Sequence, residues 1–306
     1  MAMNSVNTNL GAMIALQSLN RTTDGLDATQ KRISTGFRVA DAKDDGAAFA
    51  VAQTVRADIS GLTSANEQLG GVKGILDTTM AAMKRVSDAM ADIREVLVKL
   101  SDSNVNGDTR GQYEAQFASL VGIVNRNLAD ATYNGRSLIG TDAADATARD
   151  VTTVRNEAGT TVAVGAVAAN ALTFTAVVGT GAAPAIIAAE VPTATDPAVP
   201  LDADEARAML SGTPTAPLKS FASVQTAIND AMNRLGNDAK YIDAQISYNK
   251  EKLDSIEGGL GALIDADLAK ESARLQALQI RQQLGTQSLS IANQAPQSLL
   301  SLFGGR

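Results

Sequence analysis

The architecture is most legible in Leu76-Asp77-Thr78-Thr79-Met80-Ala81-Ala82-Met83-Lys84-Arg85-Val86-Ser87-Asp88-Ala89-Met90-Ala91-Asp92-Ile93-Arg94-Glu95-Val96-Leu97-Val98-Lys99-Leu100. Leu76, Met83, Val86, Met90, Ile93, Leu97 and Leu100 advance in alternating steps of three and four once Thr79 is counted into the stripe. A period of about 3.5 residues keeps one face of a helix against a partner, so this stretch reads as a coiled-coil seam. Its methionines Met80, Met83 and Met90 read as core, where thioethers fill irregular gaps.

Working outward, the same helical region extends back to about Asp44, punctuated by Gly61, Gly70, Gly71 and Gly74. A preceding helix runs from about Asn7 to Thr35, with Leu19, Leu26 and Ile33 spaced by seven and Gly36 as terminator. Downstream, Thr109 with Gln112 three residues on has the form of a capping box. The helix it would open carries Tyr113, Phe117, Leu120, Val121, Val124 and Leu128 on one face and ends before Tyr133-Asn134-Gly135. From Val151 to Val178 the residues are β-branched and separated by glycine-bearing turns, which predicts short strands. A Pro- and Ala-rich connection follows, and Asp202 with Gly212 would cap a short helix over 203–211.

Helical periodicity resumes with Phe221, Val224, Ile228, Ala231, Leu235 and Ile242, then slips by four residues to Ile246, Leu253 and Ile256, as in a coiled-coil stutter. Gly258, Gly259 and Gly261 interrupt it as a hinge, and a last helix spans about 264–293. There Leu268, Leu275 and Leu289 share one heptad position and Leu278, Ala292 and Leu299 another, with Gln282 and Gly285 breaking the stripes. Neither end has a local partner long enough to cover its stripe, so the two ends must pair with each other. The reading is a mainly α chain: a long coiled-coil hairpin with paired N- and C-terminal helices, plus a small β-rich inserted outer domain. The expected division is 1–40 with 264–306, 41–139 with 216–263, and an insert at 140–215.

Composition narrows the chemistry. The 306 residues include no His, Cys or Trp, which removes nitrogen- or sulfur-ligated zinc, the Ser-His-Asp and Cys-His nucleophiles and the usual haem ligands. The net charge of −7 argues against a nucleic-acid partner. Nine acidic residues against Arg149, Arg155 and Arg207 between Gly140 and Thr215 place most of that charge in the middle, which suggests a solvent-facing insert. Six of the seven prolines fall between Pro184 and Pro217, permitting long helices on both flanks. No leader-like start and no apolar run of about 20 residues is present, so neither a cleaved signal nor membrane insertion is expected.

Several blocks carry a family resemblance. Ile33-Ser34-Thr35-Gly36-Phe37-Arg38-Val39-Ala40-Asp41-Ala42-Lys43-Asp44-Asp45-Gly46-Ala47-Ala48 resembles the N-terminal block of the bacterial flagellins. Asn7-Thr8-Asn9 and Tyr133-Asn134-Gly135 fit as well. At the other end Ile264-Asp265-Ala266-Asp267, Gln279-Ile280-Arg281-Gln282-Gln283-Leu284-Gly285-Thr286, Ala292-Asn293-Gln294-Ala295-Pro296-Gln297 and Leu299-Leu300-Ser301-Leu302-Phe303 match in order. The resemblance implies a secreted structural subunit that self-polymerises into the filament tube, with an inner coiled coil formed from both ends. It implies export through the flagellar type III apparatus with an export chaperone, and contact with filament cap and hook-junction proteins. No cofactor and no catalysis are implied.

The expected assembly residues are Leu19, Leu26, Ile33, Leu268, Leu275, Leu278, Leu289 and Leu299. Arg38, Lys43, Asp44, Asp45, Asp265 and Asp267 would set register between subunits, or else pair within the chain. Asp265 and Asp267 are too few oxygens for a calcium loop, and Gly258-Gly259-Leu260-Gly261 follows a helix rather than the strand a dinucleotide loop requires. In related flagellins a basic, Glu-bearing helix is read by an innate-immune receptor. Here Asp92 stands where arginine is usual beside Arg94 and Glu95, and Gln116 stands where glutamate is, which implies weak recognition; Ala262 likewise replaces a usual arginine. The nearest rival is a hook-filament junction protein. Membrane-surface helices and an enzyme within the insert are further alternatives, disfavoured by mixed helix charges and by the missing catalytic constellation.

Overall fold

The computed structural model describes residues 9–140, 149–169, 172, 201–214 and 218–303, with side chains described up to 294 in the last helix. The chain divides into two compact units, one of Met1–Ile59 with Asp254–Arg306, the other of Ser60–Leu253. Helices are α1 (Leu10–Thr35), α2 (Gly46–Leu100), α3 (Gly107–Ala129), α4 (Ala203–Ser211), α5 (Phe221–Ile264) and α6 (Leu268–Phe303). The strands are β1 (Ile139–Gly140), β2 (Val151–Val154), β3 (Thr161–Val164) and β4 (Val167–Ala168).

In the second unit the α2 seam is longer than its sequence signature. Leu62, Ala65, Leu69, Val72, Leu76, Thr79, Met83, Val86, Met90, Ile93, Leu97 and Leu100 are all buried and keep one three-four rhythm. The hydroxyl of Thr79 donates to the Ile75 carbonyl at 2.8 Å, which lets a polar side chain sit in that dry stripe. Phe117, Val121, Val124 and Leu128 of α3 and Val224, Ile228, Ala231, Leu235, Ala239 and Ile242 of α5 complete the cluster. Two four-residue steps in succession, from Ala231 to Leu235 to Ala239, place the α5 stutter there.

The described part of the insert contributes to the same core through Val151, Val164, Val167, Leu172, Leu201 and Met209. β2 and β3 pair antiparallel, Val151 opposite Val164, and β1 pairs parallel with β4. The β2–β3 turn rests on helices: Asn249, fully buried, donates to the Arg155 carbonyl at 2.8 Å. Glu157 of that turn pairs with Lys252, and its Cα would lie 3.4 Å from a Cβ at Gly61. Asp202 caps α4 by accepting from the Glu205 amide at 2.8 Å, and Gly212 ends it in the left-handed region at φ 98°, as the sequence predicts. Most of the Leu172–Val178 segment and the Pro-rich connection lie outside the described residues.

Three boundaries differ from the sequence reading. α2 runs unbroken through its four glycines and α5 through Gly258, Gly259 and Gly261, because packing along a long seam outweighs a propensity loss of about 1 kcal/mol per glycine. α3 opens two residues before Thr109, behind Asn106, whose side chain makes no capping bond; Thr109 therefore lies inside the first turn. The last helix starts at Leu268, not Ile264, and continues past Pro296 to Phe303.

Candidate functional site: the terminal hairpin

The first unit brings the chain's ends together. Asn9 opens α1 by accepting from the Ala12 amide at 3.0 Å, and Gly36 closes it at φ 75° with its N–H on the Arg32 carbonyl. α6 lies antiparallel to α1: Asn9 Nδ2 donates to the Ala292 carbonyl at 2.7 Å at one end, and Arg32 pairs with Glu271 at 3.3 Å at the other.

On α1 the half-buried or buried positions Ala12, Ala15, Leu19, Thr22, Leu26, Thr29 and Ile33 form a heptad seam. On α6 the matching set is Glu271, Leu275, Leu278, Gln282, Gly285, Leu289 and Ala292. Gln282 and Gly285 thus belong to the stripe that the sequence reading has them interrupt. A Cβ at Gly285 would lie 3.2 Å from Leu19 Cδ1, and one at Gly25 would lie 3.6 Å from Leu278, so each helix seats a leucine over a glycine of the other. Leu268 remains 49% exposed in the first turn of α6. Leu299 lies on α6 with its side chain outside the described residues.

The connection from α1 to α2 is bound to the end of α5. The Arg38 and Val39 amides donate to the Ile264 carbonyl at 2.6 and 3.3 Å, and the Ala266 amide donates to the Gly36 carbonyl at 2.9 Å. Val39, Ala52 and Ile264 are buried with Phe37, Phe49 and Leu263 around them, and Arg56 stands 5.6 Å over the Phe37 ring.

The candidate charge residues are largely engaged within this connection. Arg38 Nη2 donates to the Leu263 carbonyl at 2.5 Å. Asp45 accepts from the Ala47 and Ala48 amides, both at 3.1 Å, capping α2; Asp267 accepts from Ala269 and Lys270 at 3.0 and 3.1 Å, capping α6. Asp44 accepts from the Ala40 amide and from Lys31. Lys43 donates its amide to Asp41 at 2.8 Å, and Asp265 bridges to Phe37 through the backbone. The hydrogen bond from Lys31 holds the Asp41 carboxyl below its usual range, and that from the Ala40 amide does the same for Asp44. Asp41 in turn raises Lys31.

The roles of Lys31, Asp41, Asn9, Arg32, Glu271, Gly25 and Gly285 escape the sequence reading, although Asn9, Asp41 and Gly285 stand within the quoted blocks and Glu271 is a carboxylate at the same heptad position as Leu278.

In the second unit, Asp92, Arg94, Glu95 and Gln116 are exposed. Glu95 is paired with Lys99 at 2.6 Å and Arg94 lies 5.8 Å over the Phe221 ring, beside a shallow groove that includes Ala91 and Val98.

After intrachain pairing, large apolar side chains still face outward: Leu10 at 66% exposure, Met13 at 60%, Ile14 at 61%, Ile280 at 58%, Leu284 at 57% and Ile291 at 64%. Ile280, Leu284 and Ile291 lie on the face of α6 opposite its seam, so the helix has two apolar faces and α1 covers one. Ile14 and Leu284 flank an open groove of about 600 Å³ with a floor of small residues that includes Gly11, Ala15, Gly285 and Ser288. Among the described residues no helix is long and apolar enough to cross a membrane.

Comparison with known proteins gives two family matches, the bacterial flagellin N-terminal helical region over residues 6–143 and the bacterial flagellin C-terminal helical region over 218–303. The chain is 35% identical to flagellin FljK of Caulobacter vibrioides over 307 residues, covering 99% of this chain and 100% of the relative. It is 34% identical to a flagellin of Brucella melitensis over 317 residues, with 99% and 100% covered. Among solved structures, a Vibrio parahaemolyticus protein assigned as flagellar hook-associated is similar in fold, with TM-score 0.54 and 13% identity over 72% of this chain and 100% of that one.

Proposed function

The chain belongs to the bacterial flagellin family, so it is an extracellular structural subunit of the self-polymerising flagellar filament, and from that premise we propose how its ends assemble. The terminal hairpin of α1 and α6 is the inner assembly element. It buries its second apolar face, and the groove beside Ile14 and Leu284, against the hairpins of neighbouring copies. The observation that carries this is the outward stripe of Ile280, Leu284 and Ile291 on a helix whose other face is already paired. An exposed stripe of this kind on a helix pair with a thin, glycine-bearing seam favours association over isolation.

The hairpin therefore becomes stably ordered only within the polymer, and folding and assembly are one coupled event. Residues 1–40 and 264–306 form the inner layer, 41–139 and 216–263 the outer tube, and 140–215 faces solvent. A head-to-tail contact that does not close continues as a helical polymer. Those residues of the 38–45 and 265–267 connections that remain accessible set register between copies. On this reading the chain is exported through the flagellar type III apparatus with its chaperone and meets cap and hook-junction proteins. The chain acts without catalysis or cofactor. A junction role is less well supported, because the hook-associated likeness at 13% identity carries fold alone while flagellins align along the whole chain.

The test is the pair Ile14→Asp and Leu284→Asp in the full chain. Seeded polymerisation, scored by electron microscopy, is expected to stop while the melting transition of residues 60–253 is unchanged. Normal filament growth from the double variant would refute the assignment.

A further inference from the structure

The seam between α1 and α6 is a poor source of register. Ala12, Ala15, Thr22, Thr29, Gln282, Gly285 and Ala292 occupy half of it, and a one-heptad slip would preserve its small-and-apolar alternation. We propose, building on the assembly role above, that specific keys set this register: the Asn9 amide on the Ala292 carbonyl, leucine over glycine at Leu19 with Gly285 and Leu278 with Gly25, and Arg32 on Glu271.

The first key answers a defect in α6. Pro296 has no N–H, so the carbonyl of Ala292, four residues earlier, loses its helical partner. Asn9 Nδ2 supplies the missing donor at 2.7 Å while its Oδ1 caps α1 at 3.0 Å, so one side chain satisfies an orphan on each helix. Slipping the helices by a heptad leaves that carbonyl unmatched.

The second key is steric. A slip of seven one way brings Gly25 opposite Gly285, a void, and the other way brings Leu19 opposite Leu278, a crowded pair. The third key is electrostatic. Glu271 is buried, its Oε2 has no hydrogen-bond partner among the described residues, and Arg32 at 3.3 Å is its counter-ion. Sliding Glu271 away from Arg32 leaves a buried charge alone, a heavy penalty, whereas an apolar pair there would tolerate either register. A single polar position that costs stability and selects alignment is a known device of paired helices.

Because the chain has no cysteine, disulfide trapping reads the register directly. A Cβ at residue 285 would lie 3.9 Å from that of Leu19, within the range a disulfide spans. The full-length reporter L19C/G285C is expected to close within one chain in the polymer, and the reporter L19C/L278C, one heptad out, is not. Adding Glu271→Arg or Asn9→Asp is expected to lower in-register closure about fivefold or more, the scale of losing one such contact. Asn9→Asp keeps the α1 cap and replaces the donor to Ala292 by a carboxylate oxygen that repels its carbonyl. The exchange Arg32→Glu with Glu271→Arg is expected to restore closure.

The proposal is overturned by equal closure in Glu271→Arg and its parent, by failure of the exchange to restore it, or by disulfides joining two chains. Polymerisation of the cysteine-free chain, followed separately by electron microscopy, decides the assembly role itself.

Discussion

Glycine has opposite meanings at different points of these helices, and its neighbours separate them. Gly70 and Gly71 of α2 are exposed with open space where a Cβ would go. Gly70→Ala or Gly71→Ala is expected to raise stability by about 0.5–1 kcal/mol, seen as a higher melting temperature, because alanine restricts the unfolded chain and favours helix. Gly285→Ala gains the same propensity but meets Leu19 at 3.2 Å, so seeded polymerisation should slow even as helix content rises. Asn249 is a second residue whose worth lies in its surroundings. Asn249→Leu is expected to cost about 1–3 kcal/mol in urea unfolding, since the Arg155 carbonyl would keep only the 3.4 Å bond from Gln245. None of this is legible in the sequence, which identifies the glycines and the asparagine but not the side chain or carbonyl that approaches from a distant stretch of the chain.

Helices, by contrast, announce themselves. The α2 stripe from Leu76 to Leu100 is buried as its period requires, and Asp202 and Gly212 bound α4 as capping chemistry predicts. What failed was the placement of ends, at α3, at the α5–α6 break and at Pro296, where the outcome depends on tertiary packing or a distant donor rather than local propensity. The β2–β3 turn is the element whose attachment should respond to pH. Lys252 holds Glu157 below the usual glutamate range, so the pair stabilises the fold above the unfolded value, about 4.3, and that contribution is lost as pH falls through the lower folded value. Amide exchange of the turn is expected to accelerate in that acid window, and Lys252→Met should weaken the acid dependence, leaving the part due to the backbone hydrogen bond on Glu157. On the exposed face of α2, Glu95 is tied to Lys99, and by the flagellin resemblance Asp92 would stand where a cation is usual. Reporter cells carrying the innate-immune flagellin receptor are therefore expected to respond weakly at matched concentrations.

At the scale of the molecule the two units behave as different kinds of object. Ser60–Leu253 encloses a core to which α2, α3, α5 and the described insert all contribute. Met1–Ile59 with Asp254–Arg306 has Val39, Ala52 and Ile264 as its small buried cluster and exposes much of its remaining apolar surface. Hydrogen exchange on the free chain is expected to show protected amides in the first of these bodies and fast exchange in α1 and α6, with protection of both helices gained in the filament. Persistent protection of α1 and α6 in the free chain would contradict coupled folding.

The pairing of α1 with α6, ending in the bond from Asn9 to Ala292, also makes the backbone a ring, closed by hydrogen bonds and packed side chains instead of a peptide link. In a ring, damage to one arc is felt on the other: a protease clipping residues beyond 290 would delete the receptor of the Asn9 amide and strand an intact amino-terminal helix. On the proposed assembly role the two ends share one fate, and a subunit shortened at either is expected to fail in seeded polymerisation as though it had lost both.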